Sequence, residues 1–131
     1  MQFNYKSEKY NSFAEINGIT FKRKLENETA FDGIVKIYSI ETSSDKLNQL
    51  LKGKFFGAFF YSSGKGTFLR MFDEKESWPN TNLIFIDLED IVMVKIKKTG
   101  SSWLVWTAND LGDGKYSIGI SPNQSIEYQT R

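Results

Sequence analysis

The chain has no cysteine and no histidine. Without cysteine there is no disulfide framework and no thiolate for catalysis or metal binding. Without histidine the commonest general base and metal ligand are missing. Proline is scarce, two in 131 residues. No internal repeat, low-complexity tail or linker breaks the chain. An excess of one charge is also lacking: 17 Lys and Arg stand against 16 Asp and Glu, for a net charge of +1. Both signs are mixed along the sequence, so no global field draws in nucleic acid or an anionic membrane. No apolar run approaches the ~18 residues of a membrane span, and the polar start MQFNYKSEKYN lacks the pattern of a signal peptide. These absences predict a cytoplasmic protein with no cofactor and no metal. The length predicts a single domain over residues 1–131, enough to bury about two-thirds of its unfolded surface.

What the chain does have is aromatic residues, 15% of the total. They are densest in Lys54 to Phe72, KFFGAFFYSSGKGTFLRMF. This stretch predicts a hairpin that is apolar on both faces and therefore covered on both. Ser62 to Gly66 is its polar, glycine-rich loop. Pairing Tyr61 with Thr67 sets Phe60 against Phe68, Gly57 against Met71 and Phe56 against Phe72, cross-strand pairs that stabilise a sheet. Arg70 then stands opposite Ala58, ringed by Phe56, Phe60, Phe68 and Phe72. Two explanations fit. Either the face is half-buried and Arg70 reaches along it to water, or Arg70 is the polar group of a ligand pocket.

Upstream, Phe3 and Tyr5 alternate with polar residues as a short strand. Asn17-Gly18 is the preferred pair for a two-residue type I′ hairpin. It sets Ile16 against Ile19 and Ala14 against Phe21 on one face, with Glu15, Thr20 and Lys22 on the other. Leu25 to Gly33 is a polar connection, and Ile34 to Glu41 a strand. The one helix lies between Thr42 and Gly53, about residues 43–52. Thr42 with Asp45 forms a capping box, Leu47, Leu50 and Leu51 make the apolar stripe, and Gly53 ends it. So short a helix needs packing to hold it and is expected across the central hairpin.

Downstream, Leu83 to Ile86 is a strand interrupted by Asp87-Leu88-Glu89-Asp90 before Ile91 to Lys98. A three-residue loop near Gly100 sets Ile96 against Leu104 and Val94 against Trp106, leaving Lys95, Lys97, Trp103 and Val105 on the other face. Asn109 to Gly114 is a turn. Tyr116, Ile118 and Ile120 alternate, Pro122-Asn123 turns, and Ile126 and Tyr128 close the sheet. The expected class is α+β and mostly β: a curved antiparallel sheet or open barrel of about nine or ten short strands with one helix packed on it.

The chemistry-bearing motifs are incomplete. Gly64-Lys65-Gly66-Thr67 lacks the first glycine of a phosphate loop and the Ser or Thr after its lysine. Asn109 to Gly114 resembles part of a calcium loop, but Leu111 replaces an oxygen ligand and Ile120 the bidentate Glu. Asp87, Glu89 and Asp90 have no second cluster to complete a metal or acid–base site. No spacing singles out a Ser–Lys nucleophile. Enzymatic chemistry needs a recognisable constellation, and none is present, so the chain is read as non-enzymatic.

Binding remains. Asp73, Glu74, Glu76 and Trp78 form an acidic loop around an aromatic, features that steer and bury at a protein interface. Asp110 and Asp113 extend that set. The leading reading is a protein that inhibits a partner, such as a toxin or nuclease domain, by covering its active site. Toxin-neutralising immunity proteins and phage-encoded inhibitors of host defence work in this manner. One alternative is a single-stranded nucleic acid face made by Lys95, Lys97 and Trp103. Another is an apolar-ligand barrel with Arg70 against an anionic head.

Overall fold

The computed structural model describes residues 9–28, 36–72, 81–99, 106–121 and 123–130. Within them run β1 (Asn11–Ile16), β2 (Ile19–Glu28), β3 (Lys36–Thr42), α1 (Asp45–Leu51), β4 (Phe55–Ser62), β5 (Gly66–Phe72), β6 (Thr81–Asp87), β7 (Val92–Thr99), β8 (Thr107–Gly112), β9 (Lys115–Ser121) and β10 (Gln124–Gln129). Strands β1 to β7 pair in sequence order as one antiparallel sheet, and β8 to β10 as a second. The fold is the expected mostly-β α+β class. The large sheet is curved but not closed into a barrel.

The first hairpin forms as its turn dictates. Asn17 and Gly18 take φ of 52° and 78°, and Ile16 pairs Ile19, Glu15 pairs Thr20 and Ala14 pairs Phe21. The ladder then skips Phe13, which is a bulge. Its ring joins Ala14, Ile16, Ile19 and Phe21 on the core. Strand β2 does not give way to a connection at Leu25. It continues to Glu28, paired with Lys36, because backbone pairing does not require apolar side chains on an uncovered stretch.

The helix is capped by Ser44 rather than Thr42. Ser44 Oγ accepts from Leu47 N at 3.2 Å. Thr42 ends β3 and is gripped by Asn48, whose Oδ1 accepts from Thr42 N at 2.8 Å while its Nδ2 donates to Thr42 O at 3.0 Å. Asn48 thus ties the helix to the strand before it. Gly53, at φ 76°, follows the last turn as expected.

The central hairpin is slipped by one residue from the expected register. Ser62 pairs Thr67, Tyr61 pairs Phe68 and Phe60 pairs Leu69. Beyond an irregularity, Phe56 pairs Met71 and Phe55 pairs Phe72. The cause is a tighter loop: Ser63 N donates to Gly66 O at 2.7 Å, and Ser63 Oγ accepts from Gly66 N at 3.2 Å. A one-residue slip exchanges the faces of β4 relative to β5. Gly66 also admits the close approach of β6, since a Cβ there would lie 2.1 Å from Ile86 O.

Strands β5 and β6 are buried on both faces, Asp87 alone being half-buried. On one face Leu69, Met71, Ile84 and Ile86 meet Phe21, Phe56, Leu88 and the helix residues Leu47 and Leu51. Met93 of β7 and Ile16 of β1 pack against this same cluster, which curls the sheet around α1. On the other face Phe68, Leu83 and Phe85 meet Trp106, Tyr116, Ile118 and Ile120. Rings of Phe68 and Tyr116 are 5.4 Å apart, and those of Phe85 and Tyr128 5.5 Å, spacings of favourable aromatic pairs.

This second layer differs from the expected β7 partner. Strand β8 pairs with β9, and Asn109 and Asp110 are strand residues opposite Ser117 and Tyr116. The turn is confined to Asp113-Gly114, with φ of 54° and 77°. Residues 101–105 of the expected β7 hairpin, like Phe3 and Tyr5, lie outside the described residues.

Candidate functional site

Three hairpin ends meet at one end of the molecule. The first is the β4–β5 loop, Ser63 to Lys65. The β6–β7 turn is fastened to it by a hydrogen bond from Leu88 N to Lys65 O at 2.9 Å, and by pairing of Gly66 with Asp87. The β8–β9 turn completes the group: Asp113 and Gly114 line one cleft of about 300 Å³ with Ser63, Gly64, Lys65, Tyr116 and Thr130.

Each end is held by its own hydrogen bonds. Asp87 Oδ1 accepts from Glu89 N at 2.8 Å and Asp90 N at 3.2 Å, an Asx turn. Ile91 closes that turn at φ 54°, an unfavourable value for a β-branched residue, with its side chain packed on the core. Gln129 Nε2 donates to Asp113 O at 2.9 Å, and Thr130 N to Gly114 O at 2.8 Å. Asp110 Oδ1 accepts from Gly112 N at 2.8 Å. Tips fixed in this way lose little conformational freedom when a partner docks.

The chemistry of this end is acidic with apolar points. Asp87, Glu89, Asp90, Asp110 and Asp113 gather here with Lys65; Lys115, beside the turn, is bound to Glu127 at 3.0 Å. Among the described residues no three acidic side chains converge on a metal-sized site. The carboxylates are spread as a field rather than collected as a ligand set. The two large hydrophobic side chains most exposed among the described residues are Leu111, 50% exposed, and Val92, 49% exposed. Both belong to these hairpin ends: Leu111 stands two residues before Asp113, and Val92 directly follows the β6–β7 turn.

The residues singled out from sequence are dispersed. Asp110 and Asp113 are exposed at this end. Asp73, Glu74, Glu76, Trp78 and Trp103 lie outside the described residues. Lys95 and Lys97 are exposed on β7, and a bulge at Ile96 pairs them with Ile84 and Leu83, which belong to opposite faces of the sheet. In sequence Glu89 and Asp90 suggest only a metal or acid–base pair, and the fold places them at this end with Asp110 and Asp113. Leu111 and Val92 gave no signal, because a single apolar residue beside a turn is ordinary in sequence.

Arg70 is neither half-buried nor ringed by Phe56 and Phe60. The slipped register places those two on the opposite face, with Leu69 and Met71. Arg70 is 7% exposed, its Nε donates to Thr81 Oγ1 at 3.1 Å, and its guanidinium lies 4.6 Å from the Trp106 ring centroid. Thr81 Oγ1 in turn shares a hydrogen with Thr99 Oγ1 at 2.8 Å. Desolvation by burial lowers the pKa of the guanidinium from its ordinary value to about 10. The neighbouring Trp106 Nε1–H is buried and has no hydrogen-bond partner among the described residues. Among the described residues no helix is long and apolar enough to cross a membrane. No family model, curated protein or solved structure matches the chain.

Proposed function

We propose that the chain is a non-enzymatic binding protein that inhibits a partner protein by covering its cationic active-site cleft, in the manner of a toxin-neutralising immunity protein. The observation that carries this reading is the hairpin end, where Leu111 and Val92 stand exposed among Asp87, Glu89, Asp90, Asp110 and Asp113. Interfaces combine a few apolar contacts that exclude water with a charged rim that steers the approach. A cationic cleft, such as that of a nuclease domain, supplies the matching field. Pinned turns favour occlusion by a preformed surface over folding on contact.

The test begins with the tagged chain as bait in an extract of the native host, followed by kinetics on the purified partner. Changing Glu89, Asp90 and Asp113 together to Lys should slow association by about tenfold or more at low salt. The melting temperature should fall only slightly, since these side chains are on the surface and the one backbone cost is that of lysine at the left-handed φ of Asp113. Leu111→Ala should instead speed dissociation. Absence of a stoichiometric protein partner, or association at the wild-type rate after charge reversal, rejects the reading.

A further inference from the structure

A second cleft lies on the β1–β2–β3 part of the sheet, apart from the hairpin end. Arg23 follows the buried Phe21 by two residues on the same strand, so it projects from the same face at the margin of the first core cluster. Its guanidinium carbon lies 4.8 Å from the Phe13 ring centroid and 4.4 Å from that of Tyr38. The bulge at Phe13 and an irregularity between Leu25 and Asn27 flank it in the two ladders that β2 makes. Bulges of this kind re-aim side chains beside functional sites.

The contacts with the two rings use none of the guanidinium's N–H donors in a hydrogen bond to oxygen. Among the described residues no carboxylate, carbonyl or hydroxyl is bonded to the Arg23 guanidinium. Neighbouring polar groups do pair: Lys24 with Glu26 at 3.5 Å, and Ser39 Oγ with Glu26 at 2.7 Å. Arg23 instead borders a cleft of about 310 Å³ lined by Asn11, Ser12, Phe13, Leu25 and Tyr38. The volume is at the lower end for small-molecule sites. Its walls offer a fork of N–H donors, an amide, a hydroxyl and apolar surface.

We infer that this cleft binds a small anionic ligand, a carboxylate or phosphate carried on a flat apolar body. The anion accepts from the Arg23 edge in the bidentate geometry that a guanidinium fits. The body lies against Phe13, Leu25 and Tyr38. Because the rings already hold the guanidinium in place, little side-chain entropy is lost on binding.

The experiment titrates benzoate, phenyl phosphate and inorganic phosphate separately into the full chain. The Arg23 Nε–Hε resonance is followed by NMR, and affinity by calorimetry. Saturable movement of that resonance with benzoate or phenyl phosphate is expected, with inorganic phosphate weaker. Whichever of the two binds more tightly identifies the anionic group. Arg23→Gln should weaken binding by about tenfold or more, the loss expected for a charge-assisted pair. Arg23→Lys should recover it only in part, because an ammonium lacks the fork. The wild-type resonance stands as a readout even if a variant fails to fold. No saturable movement with either aromatic anion, or undiminished binding by a folded Arg23→Gln, overturns the inference.

Discussion

Arg70 illustrates how one residue joins two strands of the large sheet to the layer packed on them. It is a cation in an interior position, and its lowered pKa of about 10 states which form the fold disfavours. Below that value both the folded and the unfolded chain hold the proton, so the desolvation cost is fully present at neutral pH. It eases only as pH rises above about 10, where the unfolded chain keeps the proton and the folded one sheds it. The hydrogen bond to Thr81 and the stack on Trp106 offset part of that cost. A double-mutant cycle with Arg70→Met and Trp106→Leu, followed by urea unfolding, should give a coupling of about 1 kcal/mol. Additivity within about 0.3 kcal/mol would remove the stack from the energetics. Nothing in the sequence near Arg70 reveals Trp106 as its neighbour. The two are 36 positions apart and lie on different layers.

At the scale of elements, short-range chemistry was legible where a turn or cap leaves few options. Asn17-Gly18 fixed both the turn and the pairing of its hairpin. Gly53 marked the end of α1. The cap falls on Ser44 and not on Thr42 because both are competent N-caps, and only the tie between Thr42 and Asn48 settles the choice. Ser44→Ala should therefore lower stability by about 1 kcal/mol in chemical denaturation, the usual cost of losing a cap. An unchanged midpoint would place the helix start elsewhere. The central hairpin was harder. Phe55, Phe56, Phe59, Phe60 and Tyr61 are apolar in every register, so the pattern does not choose among slips, and the Ser63–Gly66 hydrogen bonds do.

For the whole molecule, the two core clusters share strands β5 and β6, one on each face. Loss of either layer exposes the same strands, so both should melt together. Leu47→Ala, in the first cluster, and Ile118→Ala, in the second, should each cost about 2–5 kcal/mol. Each should shift one transition seen alike by far- and near-UV circular dichroism. Two separated transitions would show that the layers fold independently. The proposed interface belongs to this scale too, because the β6–β7 and β8–β9 turns come from different sheets. If Asp73, Glu74 and Glu76 extend the same acidic field, reversing them to Lys should slow partner association as reversal of the tips does. An unchanged rate would confine the field to the hairpin ends.

By itself the sequence determined the mostly-β class, the short helix α1, the first hairpin, the burial of β5 on both faces and the alternation along β9, whereas β4, expected to be covered on both faces too, is for the most part only half-buried. Those features follow from local turn chemistry and from side-chain periodicity, which act over a few residues. Tertiary structure alone decided the slipped register of β4, the partner of β8, the burial of Arg70 beneath Trp106 and the aromatic contacts of Arg23. It also brought Asp87, Glu89 and Asp90 to the same end as Asp110 and Asp113. These depend on which surfaces meet across the two layers, and no local pattern encodes contacts between residues so far apart in the chain.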